Sequence, residues 1–334
     1  MSDTSPPAPT GSRHLVAPEL LAAAEAFPAV PLTRELLPYA RVGVEENPIL
    51  KAAVLAPEHH AVGRTERFAP GVGGAPDVRM LVYTPAVDSG AARPAYLYIH
   101  GGGYVLGSAD MMDASSRAIV ADLGCVLVSV DYRLAPETPY PGAVEDCYAA
   151  LTWLHANADA LGVDRTRIAV GGESAGAGHA AALAIHARDR GEVPICFQLL
   201  DSPMLDDRTG SSADPHPYCG EFAWPPASNR FGWAALLGTD PGGLDVPPAA
   251  VPARVANLTG LPPAFILVGG IDLFMEEDLE YARRLMRAGV PVELHVIPGA
   301  FHGFGTAGPQ AHQVRTAHRL TREALARGLQ QAFG

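Results

Sequence analysis

The pentapeptide Gly172-Glu173-Ser174-Ala175-Gly176 constrains this chain more than any other stretch. It follows a strand-like run, Arg167-Ile168-Ala169-Val170-Gly171, and leads into an alanine-rich, helix-like run from Gly178 to Ala187. A G-x-S-x-G at a strand-to-helix junction is a nucleophile elbow, a sharp turn that lifts the serine hydroxyl above the end of a sheet. Glycines flank the serine because such a turn leaves no space for side chains. The pattern therefore predicts an α/β fold with Ser174 poised for acyl transfer. In a chain with 35 glycines the pentapeptide alone is no proof. The reading needs a base, an acid and donors for an oxyanion, in the right chain order.

The donors come first. Ala95-Tyr96-Leu97-Tyr98-Ile99 reads as a buried strand and runs into His100-Gly101-Gly102-Gly103-Tyr104. Backbone N–H groups aimed at the oxygen of a tetrahedral intermediate stabilise it by roughly 2.7–4 kcal/mol per donor. Gly101 and Gly102 are the candidates, with Ala175, the residue after the serine, as the third. The rival reading is a phosphate cradle, since Gly101, Gly103 and Gly107 loosely echo a dinucleotide fingerprint. No G-x-G-x-x-G is present there and no Walker lysine follows.

Asp272 is the candidate acid. It lies just past Ala264-Phe265-Ile266-Leu267-Val268-Gly269, a buried-strand pattern, and catalytic groups of open α/β sheets gather at such strand ends. His302 is the candidate base, in a loop that follows the strand-like Val292–Ile297. A serine is a poor nucleophile until a base removes its proton, and a neutral histidine can do so near pH 7. The aspartate would fix the imidazole tautomer and stabilise the imidazolium. The order Ser174, Asp272, His302 is that of α/β-hydrolases. None of the other histidines, His59, His60, His179, His186, His295, His312 and His318 among them, shares His302's place at a strand end between glycines and phenylalanines. No H-E-x-x-H or C-x-x-C occurs, so a zinc hydrolase has no support and no metal or other cofactor is expected.

Together these segments resemble the hormone-sensitive lipase family of α/β-hydrolases, in particular its bacterial esterases. The likeness rests on His100-Gly101-Gly102-Gly103-Tyr104, Asp131-Tyr132-Arg133-Leu134-Ala135-Pro136-Glu137, Tyr140-Pro141-Gly142-Ala143 to Asp146, the elbow, and Gly299-Ala300-Phe301-His302-Gly303-Phe304. It spans about residues 75 to 325. The resemblance implies a carboxylic-ester hydrolase with an eight-stranded, mostly parallel sheet and an N-terminal helical cap over the site. It also implies soluble esters of short to medium acyl chain, and a dimer formed through the edge strand Val292–Ile297. The chain departs from the family pattern at Ala177, at Asp201-Ser202-Pro203 and at Gly270. Asp201 reads as a structural carboxylate in preference to one that faces the site.

Composition fits a soluble enzyme with a large core, at 48% hydrophobic residues over 334 positions. With 24 basic and 36 acidic residues, nucleic acid and anionic membrane surfaces are disfavoured as partners. Cys125, Cys147, Cys196 and Cys219 are widely spaced and read as thiols, without a disulfide framework. The N-terminus lacks a basic head and an apolar core of signal-peptide type, which makes the cytoplasm the expected location.

Residues 1–60 are expected to form a disordered tail and helical cap, and residues 61–334 the catalytic domain. Within it the stretch 206–243 interrupts the strand–helix rhythm and reads as an irregular insertion over the site. Phe222 and Trp224 are candidate pocket walls there, while Trp233 suits a core anchor. Tyr104 and Phe304, beside the donor loop and the histidine, are further pocket candidates. Two other functions compete: an amidase using the same residues, and a non-catalytic small-molecule receptor on the same fold. Plant gibberellin receptors resemble this family but lack the catalytic histidine, which His302 supplies here.

Overall fold

Alternating strands and helices from residue 93 onward wind one sheet, which the computed structural model describes over residues 11–26, 29–45, 57–87, 90–211 and 215–330. The strands are β1 (Gly63–Ala69), β2 (Val78–Thr84), β3 (Arg93–Ile99), β4 (Val126–Asp131), β5 (Val163–Glu173), β6 (Phe197–Asp201), β7 (Ala264–Gly269) and β8 (Val292–Ile297). Their order across the sheet is β1-β2-β4-β3-β5-β6-β7-β8. β2 runs antiparallel to β1 and β4, and β3 through β8 are parallel. β8 is an edge, as the family resemblance implied.

The helices are α1 (Leu21–Ala26), α2 (Leu37–Glu45), α3 (Asp113–Leu123), α4 (Gly142–Ala156), α5 (Ala175–Arg190), α6 (Pro226–Leu237), α7 (Met275–Arg287) and α8 (His312–Gln330). No described helix is long and apolar enough to cross a membrane.

The sheet is buried on both faces, so its central strands are almost continuously apolar. Side chains alternate across it with period two. Leu97, Ile99, Val128, Val170 and Leu200 pack under α4, α5 and α7. Tyr96, Tyr98, Leu127, Ala169 and Leu199 face the other way, toward α3 and α8. This parity decides which side chains meet at the carboxyl end of the sheet.

Two segments close over that end. The N-terminal segment is tied there by Ala17 N–H to Gly299 O at 3.0 Å, and by Ser12 Oγ to Glu221 Oε2 at 2.7 Å. Arg41, on α2, donates to both Glu137 carboxylate oxygens at 2.8 Å and to Val105 O at 2.9 Å. Of the expected tail and cap, residues 1–10, 27–28 and 46–56 lie outside the described residues, while residues 13–15, the end of the expected tail among them, form a short 3-10 turn. The second segment, 206–243, is less irregular than the sequence suggested. It holds the 12-residue α6, whose first helical position is Pro226, a residue pre-set for a helix start. Trp233 on that helix is fully buried against Tyr104, the anchoring role its sequence position suggested.

The loop Asp131 to Glu137 is pinned by an Arg–carboxylate pair. Buried Asp146 accepts from the Arg133 backbone N–H at 2.9 Å, from Nε at 2.8 Å and from Nη2 at 2.7 Å. Cys125, Cys147, Cys196 and Cys219 are free thiols.

Candidate active site

β5 ends at Glu173 and α5 begins at Ala175, so Ser174 alone makes the turn. It does so at φ 56°, ψ −123°, a left-handed setting that costs a non-glycine residue about 1–3 kcal/mol. The turn is held by Ser174 N–H to Asp201 O at 2.8 Å and by Met204 N–H to Ser174 O at 3.1 Å. The flanking glycines are needed for proximity. A Cβ on Gly172 or on Gly176 would stand 2.1 Å from Ile99 O. The elbow is therefore packed directly on the end of β3, where the Gly101 loop departs.

Three side chains far apart in sequence meet above this turn. Ser174 Oγ lies 2.9 Å from His302 Nε2, and His302 Nδ1 lies 2.9 Å from Asp272 Oδ2. Asp272 is wholly buried, and its other oxygen accepts the Phe274 backbone N–H at 3.0 Å, which fixes the carboxylate plane. Phe274 sets its ring edge-on to His302 at 4.9 Å between centroids. Burial by itself pushes the His302 imidazolium toward deprotonation. The Asp272 carboxylate, supported by Asp201 and Glu173, outweighs that effect and leaves its pKa above the ordinary histidine value.

The Gly101 loop lies against the serine: a Cβ on Gly101 would come 2.9 Å from Glu173 O and 3.4 Å from Ser174 Cβ. Neither the Gly101 nor the Gly102 backbone N–H has an acceptor among the described residues. Ala175 is the first residue of α5, where N–H groups have no intrahelical partner. Two buried histidines stand behind the loop. His100 stacks on Tyr132 and contacts Gly101 O through Nδ1 at 2.8 Å. His179 sits between Tyr104 and Tyr132, and burial drops its pKa to about 3, so it stays neutral.

The four pocket candidates divide. Phe222 and Trp224 are half-buried, and Trp224 lies over the donor loop, where a Cβ on Gly103 would meet its ring at 2.2 Å. Tyr104 and Phe304 belong to the core instead. Tyr104 is 2% exposed and donates its hydroxyl to Met204 O at 2.7 Å, while Phe304 is 6% exposed among the residues under α8. Tyr104's φ of 70° turns its side chain inward from the loop that the sequence had it lining.

Asp201 also corrects the sequence expectation. It pairs in register with Glu173 across β5 and β6, so both carboxylates emerge on one face at the strand ends, the face of Tyr98. Tyr98 donates its hydroxyl to Glu173 Oε1 at 3.0 Å. Among the described residues the Asp201 carboxylate has one contact, 3.4 Å from its neighbour Ser202, and the residue is half-buried, so it is not the firmly hydrogen-bonded strut expected. Burial first, and then the nearby Glu173, raise its pKa to about 7. Strand-end register was the signal that could have found this pair.

Glu276 and Glu277 fall in the first turn of α7, and Glu277 also braces the chain that follows β6. It is buried, and its Oε1 accepts the N–H groups of Leu205 and Asp206 at 2.6 and 3.2 Å.

A family profile described as the α/β-hydrolase fold matches residues 96–306. The chain belongs to the α/β-hydrolase family. Esterase LipI of Mycobacterium tuberculosis is 41% identical over 233 residues, covering 68% of this hydrolase and 71% of LipI. Carboxylesterase NlhH of the same organism is 40% identical over 247 residues, covering 72% and 75%. Among solved structures, a bacterial heroin esterase superposes with a TM-score of 0.87 at 38% identity, covering 95% of this chain and 99% of that one. The hydrolase sits in the hormone-sensitive-lipase-like branch and is a carboxylic-ester hydrolase.

Proposed function

We propose that the hydrolase cleaves short- to medium-chain soluble carboxylic esters through an acyl-enzyme on Ser174. The observation that carries this reading is the continuous line Ser174 Oγ, His302 imidazole and Asp272 carboxylate, with 2.9 Å at each link. Neutral His302 takes the Oγ proton through Nε2 as Oγ adds to the ester carbonyl. The carbonyl oxygen becomes an oxyanion facing the N–H groups of Gly101, Gly102 and Ala175. Asp272 stabilises the imidazolium that forms without taking its proton. The intermediate collapses, and His302 returns the proton to the departing alkoxide, which leaves as the alcohol. Water, deprotonated by the same imidazole, then attacks the acyl-enzyme and releases the acid, and Ser174 regains its proton.

The restriction to shorter chains is supported by the two segments packed over the strand ends, with Trp224 resting on the donor loop. We place the enzyme in the cytoplasm. Four free cysteines, three of them buried, suit a reducing compartment.

Hydrolysis of p-nitrophenyl esters from acetate to palmitate tests the reading. Serine-dependent turnover that peaks at short acyl chains is expected. A peak on emulsified long-chain esters would overturn the chain-length assignment. Absence of turnover on every ester, with turnover on anilides, would replace the esterase reading by an amidase.

A further inference from the structure

Behind the donor loop four rings stand in one buried row: Tyr104, His179, Tyr132 and His100. Their centroids are 4.6 Å apart from Tyr104 to His179, 4.9 Å from His179 to Tyr132 and 4.3 Å from Tyr132 to His100. Each tyrosine ends on a backbone carbonyl close to the reacting groups. Tyr104 donates its hydroxyl to Met204 O at 2.7 Å, and Met204 N–H donates to Ser174 O at 3.1 Å. Tyr132 donates to His100 O at 2.9 Å, and His100 Nδ1 donates to Gly101 O at 2.8 Å. Gly101 O and Gly102 N–H belong to one planar trans peptide and point to opposite sides of it. Holding that oxygen therefore fixes the direction of the Gly102 N–H.

One end of the row braces the nucleophile turn and the other braces the donor loop. His179 is the ring that joins them, one turn along α5 from Ala175. Its Nε2 is buried with no hydrogen-bond partner among the described residues. An aliphatic side chain there would spare the desolvation of the ring nitrogens. What histidine adds is a flat ring between the two tyrosines, edge-on to Tyr132 and tilted against Tyr104. Gly178, just before it, leaves the space, since a Cβ there would come 2.2 Å from Met204 O and 2.6 Å from Tyr104 Oη.

We propose that His179 is a positioning residue of the hydrolase, which through Tyr104 and Tyr132 keeps the Gly101 and Gly102 donors in register with Ser174. This rests on the catalytic reading of Ser174 given above and adds what holds its two halves together. A misplacement of about 1 Å far from the chemistry can cost on the order of 100-fold in rate. His302 and Asp272 lie outside the row, so the loss falls on stabilisation of the oxyanion.

The test compares wild type with His179→Leu and His179→Phe on p-nitrophenyl acetate. It also measures Ki for an aryl trifluoromethyl ketone, which adds to the serine and leaves an oxyanion facing the same donors. In His179→Leu, kcat should fall on the order of tenfold to a hundredfold with KM within about twofold of wild type. Ki should rise in step with the loss of kcat/KM. His179→Phe, which keeps a ring between the tyrosines, should recover most of both. Tyr104→Phe and Tyr132→Phe each delete one hydroxyl, at opposite braces, and their effects on kcat should be non-additive because His179 couples them. Wild-type kcat and Ki in a folded His179→Leu, or a loss that His179→Phe does not repair, would overturn the inference and leave the esterase reading intact. Should His179→Leu not fold, strict additivity of the two tyrosine substitutions would overturn it, and non-additivity would support it. Absence of turnover by wild type on any p-nitrophenyl ester would overturn the esterase reading itself, and this inference with it.

Discussion

Ser174 Oγ and His302 Nε2 are 2.9 Å apart although 128 residues separate them in the chain. The contact exists because two loops leave the same end of one parallel sheet, one from β5 and one from β8. Asp272, from the loop after β7, then holds the far side of the imidazole. Each group is set by a strand end, so the site inherits the rigidity of the sheet.

His302 must be neutral to take the serine proton, and Asp272 keeps its pKa above the ordinary value against the effect of burial. Activity should therefore fall on the acid side with a midpoint above the ordinary 6.5, as the imidazole gains a proton. Asp272→Asn should move that midpoint down and reduce kcat on the order of 10⁴-fold. A pH–rate profile of kcat/KM checks both. A flat profile through the histidine range would remove His302 as the base.

Gly176 should not accept a side chain. A Cβ there would lie 2.1 Å from Ile99 O and 2.4 Å from His100 O, and both are backbone atoms that cannot swing aside. Gly176→Ala is expected to destabilise the fold by about 1–3 kcal/mol or more and to misplace Ser174. Urea unfolding and esterase assays on the same preparation would measure the two effects. Wild-type values in both would contradict the close packing of the elbow on β3.

Asp201 should cost stability at neutral pH. Its pKa rises from the ordinary 3.8 to about 7 in the folded protein, through burial and the adjacent Glu173. The folded state thus binds this proton more tightly than the unfolded chain does. Stability from this group is present below the unfolded value and is lost as pH climbs through the folded one. Asp201→Asn should raise Tm relative to wild type at pH 8, with the gain shrinking toward pH 4. Thermal melts across that range test it. A gain independent of pH, or a loss at pH 8, would contradict the assignment. Stability given up at a functional site is a common trade.

Much of this arrangement was legible in the chain because local rules agreed with global ones. Short, mostly apolar runs marked the parallel strands, and glycines at Gly172, Gly176 and Gly101 marked where backbone must approach backbone. Ser174, Asp272 and His302 could be read from their places after strands. Asp201 could not, because strand register and the partner across it are absent from a linear sequence. Tyr104 misled for a related reason. Its neighbours are active-site glycines, but its own backbone angle sends the ring into the core. The helix α6 was hidden by the proline, glycine and aromatic content around it, and only Pro226 hinted at its start.

The most direct test of the account is hydrolysis of p-nitrophenyl acetate by wild type and Ser174→Ala side by side, with circular dichroism to match their folds. The account predicts a folded variant whose kcat falls on the order of 10⁴-fold or more. Turnover equal to wild type from a folded, clean preparation of Ser174→Ala would contradict it.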